Sequence, residues 1–266
     1  MKPFFISIPH SGEKIAPETD WLKGLPEEIL MCDPDRYVDR LYQPVIEQLD
    51  LLSVKTEWHR YIVDLNRVPE DIDVDSVIGA PHPAGTHPKG YHWSVTTKGY
   101  KLITRPMSMD LHNVLTEKYY LSFHESVRNA YDRFFQKGAQ SVYHIDAHSM
   151  PSVGGKLHRD PGQKRADIVI SDCSGTSCAT DFTELVISSY KKAGFGVAHN
   201  WPYLGGRITE LYGNPNGMRH AIQVELNRNL YMDEQTKLLK VAESQEVSRM
   251  IASAVQCIYS QLPKIQ

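Results

Sequence analysis

Three short stretches carry residue types that perform hydrolytic chemistry. The first is His10-Ser11-Gly12-Glu13, directly after an apolar run that begins at Phe4. An imidazole and a carboxylate three residues apart across a tight turn reach one cation, and mixed nitrogen and oxygen donors are what catalytic zinc accepts. The second is Asp146-Ala147-His148, after the β-type run 141–145. The third is Glu225, inside the apolar run 221–226 (AIQVEL). Two histidines and a carboxylate with an open fourth position form a hydrolytic zinc site, and a further carboxylate beside its water is a general base. Two of these stretches also have a plain reading. His10 caps the next element with Glu13 solvated, and Glu225 points to solvent from an edge strand. A buried glutamate costs free energy unless it is paired, and composition leaves the two readings of Glu225 even.

The elements that must position these residues alternate between strand and helix. Strands are expected at 51–55, 58–65, 141–145, 167–171, 196–198 and 221–226, besides the N-terminal run. Helices are expected at 36–49, where Pro44 should kink or divide the pattern, and at 113–137, 176–192 and 236–260. Residues 200–217 read as a loop. This alternation implies an α/β fold with a mostly parallel sheet, whose strand C-termini share one edge. Residues 70–110 are rich in Pro, Gly and His (His82, His87, His92), have little periodicity, and read as a loop or lid inserted in a single domain spanning 1–266.

Composition narrows the function classes. With 41% hydrophobic and 23% charged residues and a net charge of −3, the chain is globular and lacks a nucleic-acid footprint. No apolar run reaches eighteen residues, so no membrane span is expected. The N-terminus reads as a first strand, without the apolar stretch and cleavage site of a signal peptide. Four cysteines without a C-x-x-C imply reduced thiols and a cytoplasmic setting. A metal site must therefore draw on His and carboxylates.

In chain order, HSGE, RYIVDLNR, DAHS, GGRITELYG and HAIQVELNRNLYM resemble the N-formylglutamate amidohydrolases (N-formylglutamate deformylases). The resemblance runs from Ser7 to Met232. That family is similar in turn to the zinc carboxypeptidases and aspartoacylases, which implies a three-layer α/β fold around a mixed, mostly parallel sheet. It implies one Zn2+ or other divalent ion per chain, held by His10, Glu13 and His148. It implies Glu225 as the base and Arg60 as the residue polarising the scissile carbonyl. Asn66 and Arg67 match a pair that holds a substrate carboxylate. Arg207 and Arg219 are candidates for a second carboxylate, and His220, His124 and Asp146 for supporting positions. The implied reaction is hydrolysis of a small anionic N-acyl amino acid, foremost N-formyl-L-glutamate to formate and L-glutamate, as in histidine degradation. The chain is expected to act as a monomer or homo-oligomer, without nucleic acid or membrane.

Two departures touch the site. Many deformylases of this family lack a glutamate where Glu13 stands and carry D-x-D residues where Asp33 and Asp35 stand, so one of those aspartates, Asp35 foremost, or Asp146 is an alternative carboxylate ligand to Glu13. Their GGYITR reads GGRITE here, moving a basic residue. Competing readings are a carboxylate-rich metal phosphoesterase using Asp33, Asp35, Asp146 and His148, and a non-catalytic metal- or ligand-binding protein.

Overall fold

A computed structural model describes residues 2–85, 90–156 and 158–263. The chain divides into two compact units: a sheet unit of Met1–Ile8, Tyr37–Val54 and Val127–Gln266, and a second unit of Pro9–Arg36 and Lys55–Ser126.

The sheet has six strands: β1 (Phe4–Ile8), β2 (Leu52–Lys55), β3 (Val142–Met150), β4 (Ile168–Ser171), β5 (Val197–His199) and β6 (Arg219–Asn227). Their spatial order is β2-β1-β3-β6-β4-β5. β1, β3 and β6 pair in parallel, β4 runs antiparallel to β6, and β5 is parallel to β4. The fold is thus α/β with a mixed, mostly parallel sheet, as its alternating elements imply.

The seven α-helices of the described residues are α1 (Glu27–Leu30), α2 (Val38–Gln48), α3 (Met109–Leu115), α4 (Ser122–Gln136), α5 (Thr180–Lys192), α6 (Arg207–Tyr212) and α7 (Val241–Gln261). A π-helical turn, Thr116–Leu121, joins α3 to α4.

Strand alternation gives the sheet two chemically different faces. On one face Phe4, Ile6 and Ile8 of β1, Ile145 and Ala147 of β3, and Ile222, Val224 and Leu226 of β6 form the core. They share it with Leu41, Tyr42 and Val45 of α2, Phe182, Val186 and Tyr190 of α5, and Val247, Ile251 and Val255 of α7. Tyr42 and Tyr190 join their hydroxyls at 2.8 Å inside it. The same alternation puts Ser7, His144, Asp146, His148, Gln223 and Glu225 together on the other face, all buried.

Several local expectations need correction. Residues 58–65, of which His59 and 61–65 are buried, form no strand. Their amides go into turns and a loop contact instead, with Ile62 N bonding His59 O and Asp64 N bonding Tyr91 O. α2 runs unbroken through Pro44 because both Pro44 and Arg40, whose carbonyl loses its partner, face solvent. β3 runs five residues past the expected end at 145, to Met150, so Asp146 and His148 lie within the strand. The expected loop 200–217 contains α6.

Candidate active site

In the sheet unit, register brings the chemistry together. His148 of β3 stands opposite Glu225 of β6, and Asp146 opposite Gln223. Neighbouring strands lie about 4.8 Å apart, so these side chains are adjacent on the polar face. β6 is an interior strand and Glu225 is buried, which removes the solvent-facing alternative. Gln223 Nε2 donates to Glu225 Oε1 at 2.8 Å. His148 Nε2 lies 2.8 Å from Asp146 Oδ2. Burial alone would raise the Asp146 carboxyl pKa, but His148 and the hydrogen bonds from His148 and Ser7 outweigh it, and the net shift is downward. With the carboxylate accepting at Nε2, His148 keeps Nδ1 as its lone-pair nitrogen.

At the same end of β3 and β6, the buried Arg228 guanidinium donates to Ser149 Oγ at 3.1 Å and to its carbonyl at 3.3 Å. Arg165 makes a two-pronged bond to Asp160 and donates to the Tyr203 hydroxyl at 2.9 Å. Burial and the nearby Glu225 raise the Tyr203 phenol.

The second unit builds a similar arrangement around His10. Its Nε2 lies 2.9 Å from Asp64 Oδ1, and its Nδ1 lies 3.6 Å from Asp35 Oδ2. Asp35 is held by its own backbone, with its amide bonding the His10 carbonyl at 3.0 Å and its carbonyl accepting from Ser11 Oγ at 2.8 Å. Asp64 also accepts from Arg60 at 2.7 Å, Trp93 Nε1 at 2.9 Å and the Asn66 amide at 2.9 Å. Burial would raise its pKa, but Arg60 and His10 hold it well below the usual carboxylate range.

These geometries fit a divalent cation. Each histidine presents one ring nitrogen to a buried carboxylate, the arrangement that orients metal-binding imidazoles. Two ligands each about 2.1 Å from a tetrahedral ion stand roughly 3.4 Å apart, close to the spacing of His10 Nδ1 and Asp35.

The other residues singled out in the sequence fall elsewhere. Glu13 is partly exposed, and its carboxylate is bound by Arg36 at 2.9 Å, so the spacing H-x-x-E does not make it the partner of His10. Asp33 is taken by Tyr61 at 2.6 Å and by Thr97. Arg60 donates to the Asp33 carbonyl at 3.0 Å as well as to Asp64, and stacks on Trp93. Arg67 donates to the carbonyl of Asn66 at 2.9 Å. Arg207 opens α6 with its Nε buried and lacking a hydrogen-bond partner among the described residues.

Arg219 begins β6, six residues from Glu225 and therefore about 20 Å along the strand, where it lies over Tyr131. His220, next to it, stacks on Tyr143. His124 bonds the Leu65 carbonyl at 2.9 Å, and His92 bonds the Ile62 carbonyl and His112. His82 makes an isolated bridge with Asp73, and His87 lies outside the described residues. Within 70–110, Val77, Tyr91, Trp93, Leu102 and Ile103 are buried, and Trp93 reaches Asp64.

The family model for N-formylglutamate amidohydrolase matches residues 2–232. The chain belongs to this family. The N-formylglutamate deformylase of Pseudomonas aeruginosa is 28% identical over 255 residues, covering 94% of this chain and 89% of that protein. The deformylase of Pseudomonas putida is 28% identical over 236 residues, 87% of this chain and 82% of that protein. The crystal structure of N-formylglutamate amidohydrolase from Ralstonia eutropha is 24% identical with a TM-score of 0.81, and the match covers 97% of this chain and 94% of that one, so it shares the fold.

Sequence reasoning about this amidohydrolase chain passed over Asp64, Arg228 and Tyr203. Asp64 stands in the RYIVDLNR motif, where an acid among apolar residues was the available signal. Arg228 follows Glu225 in ELNR. Nothing local marks Tyr203.

Proposed function

We propose that this chain is a zinc-dependent amidohydrolase that cleaves the amide of a small N-acyl amino acid, foremost N-formyl-L-glutamate, into formate and L-glutamate. One observation carries the reading. His10 and His148 are both buried, and each is oriented by a buried carboxylate, Asp64 for the first and Asp146 for the second, with Asp35 beside His10. Family membership supports the amide as the bond cleaved, and the names of the relatives support the formyl group and glutamate.

When bound, the cation supplies Lewis acidity and an acidified water. Asp64 and Asp146 each take Nε2 of one imidazole, so that Nδ1 of His10 and Nδ1 of His148 would be the atoms that hold the cation. Asp35 takes the carboxylate position, and Glu13 remains a partner of Arg36. Glu225 accepts the proton of the attacking water and returns it to the leaving amine, since its carboxylate sits beside His148 on the polar face. Arg60 acts on the site through Asp64. Asn66 and Arg67 hold a substrate carboxylate, with Arg207 a second candidate. No disulfide joins the four cysteines, which supports a reducing, cytoplasmic setting.

Metal analysis combined with an amine-release screen over formyl, acetyl and succinyl derivatives of glutamate and aspartate tests this. One divalent ion per chain and highest turnover on formylglutamate are expected. Glu225→Gln should lose roughly 10²–10⁴-fold in kcat while keeping its metal. Full activity in metal-stripped protein, or near-normal turnover in Glu225→Gln, overturns the reading.

A further inference from the structure

Behind His148 the polar face holds a line of buried groups that the proposed reaction does not use. Ser7 Oγ is 2.5 Å from Asp146 Oδ1 and 2.7 Å from His144 Nε2. His144 Nδ1 is 3.1 Å from the Tyr131 hydroxyl. Ser7, His144, Asp146 and Tyr131 are all buried. Phe5 stacks on the His144 ring at 4.1 Å between centroids, with planes 12° apart, and Tyr131 packs edge-on against Phe5. The ring plane is therefore set by packing, apart from its hydrogen bonds.

The proton inventory gives this line one direction. A carboxylate only accepts, so Ser7 spends its single hydroxyl proton on Asp146. Ser7 must then accept from His144, which places the His144 proton on Nε2. His144 Nδ1 is left as an acceptor, and Tyr131 donates to it. At the other end Asp146 accepts from His148 Nε2. Every step from Tyr131 through His144, Ser7 and Asp146 to His148 is satisfied in one proton arrangement only.

We propose that Ser7, His144 and Tyr131 are positioning residues: their one-way chain of hydrogen bonds fixes Asp146, and through it the ring orientation and tautomer of His148 that presents Nδ1 to a cation. The inference rests on the reading of His148 as a ligand. It adds that the ligand's geometry is set four residues away across two strands. Asp146 loses one of its two fixed donors when Ser7 lacks its hydroxyl, and its carboxylate is then free to turn about the remaining bond to His148.

Zinc affinity by chelator competition and 15N NMR of the histidine rings in the metal-free full chain test this. In wild type, His144 should carry its proton on Nε2 and His148 on Nε2. Ser7→Ala removes one small group, and should weaken zinc binding about tenfold, the lower end of the loss when a ligand's direct partner is removed, because Ser7 acts one bond further out through Asp146. It should also mix the His148 tautomers. Tyr131→Phe should shift His144 toward mixed tautomers with a smaller loss of affinity. In an Asp146→Asn background, Ser7→Ala should have no further effect on affinity.

A merely structural role would lower thermal stability while leaving affinity and tautomers unchanged. A proton on Nδ1 of His144 in wild type, or Ser7→Ala affinity within twofold of wild type, overturns the inference. Wild type that binds no zinc overturns the metal reading. In that case the tautomer spectra of the metal-free Ser7→Ala protein, which need no zinc, still decide whether the chain of bonds fixes His148.

Discussion

Asp64 is the residue on which the second unit's charges converge. One carboxylate satisfies His10, Arg60, Trp93 and its own chain at Asn66. Asp64→Asn keeps the shape and removes the charge, leaving the Arg60 guanidinium buried beside an amide. Removing one partner of a buried pair costs about 3–5 kcal/mol. Urea denaturation at neutral pH should show a loss of that order, and a loss under 1 kcal/mol would contradict the role assigned to Asp64. At this scale the sequence was only partly legible. His10, His148 and Glu225 stood out because each polar residue interrupts or ends an apolar run. Glu13 stood out for its spacing, but Arg36, 23 residues away, claims its carboxylate. Sequence distance does not encode that competition. Asp35 is oriented through backbone bonds to His10 and Ser11, which no spacing rule describes.

Strands were read well where one face must be apolar and the other polar. β1, β3 and β6 show that alternation, and because β3 runs on to Met150 it carries Asp146 and His148 onto a common face. Residues 58–65 misled because a run rich in aromatic and β-branched residues also describes buried coil, and only the destination of the backbone bonds separates the two. α2 gives the converse case. Pro44 argued for a break, yet a proline on the solvent side of a helix costs stability without ending it. Pro44→Ala restores an amide donor to the Arg40 carbonyl. A proline in a helix interior is about 3 kcal/mol less favourable than alanine, and the unfolded chain regains up to about 1 kcal/mol of freedom. A net gain of about 1–2 kcal/mol is expected by chemical denaturation. Unchanged or lower stability would mean that the proline performs another task in α2.

Both units share a dependence on neutral histidines. His59 donates through Nε2 to the Leu30 carbonyl and accepts at Nδ1 from the Tyr61 amide. His92 donates from Nδ1 to the Ile62 carbonyl and accepts at Nε2 from His112. His144 likewise donates once and accepts once. A second proton on any of these rings removes an acceptor that a buried donor needs. Burial, the largest cause, pushes His59 and His144 down to about 4 and His92 to about 3. Burial lowers His112 and His220 as well. In the unfolded chain these groups titrate near the ordinary value of about 6.5. Below that pH the unfolded state binds more protons than the folded one, so unfolding free energy falls as pH falls. The loss begins near pH 6.5 and continues toward the folded values, while the depressed carboxylates Asp64 and Asp146 contribute only at lower pH. Each proton adds a slope of about 1.4 kcal/mol per pH unit, so the three fully buried rings together approach about 4. Urea titrations at pH steps from 7.5 to 4.5 measure this slope. His92→Gln, whose amide offers a donor and an acceptor without titrating, should reduce it by about one proton. A flat profile across that window, or an unchanged slope in a folded His92→Gln variant, would show that the buried rings are not what makes the fold acid-sensitive.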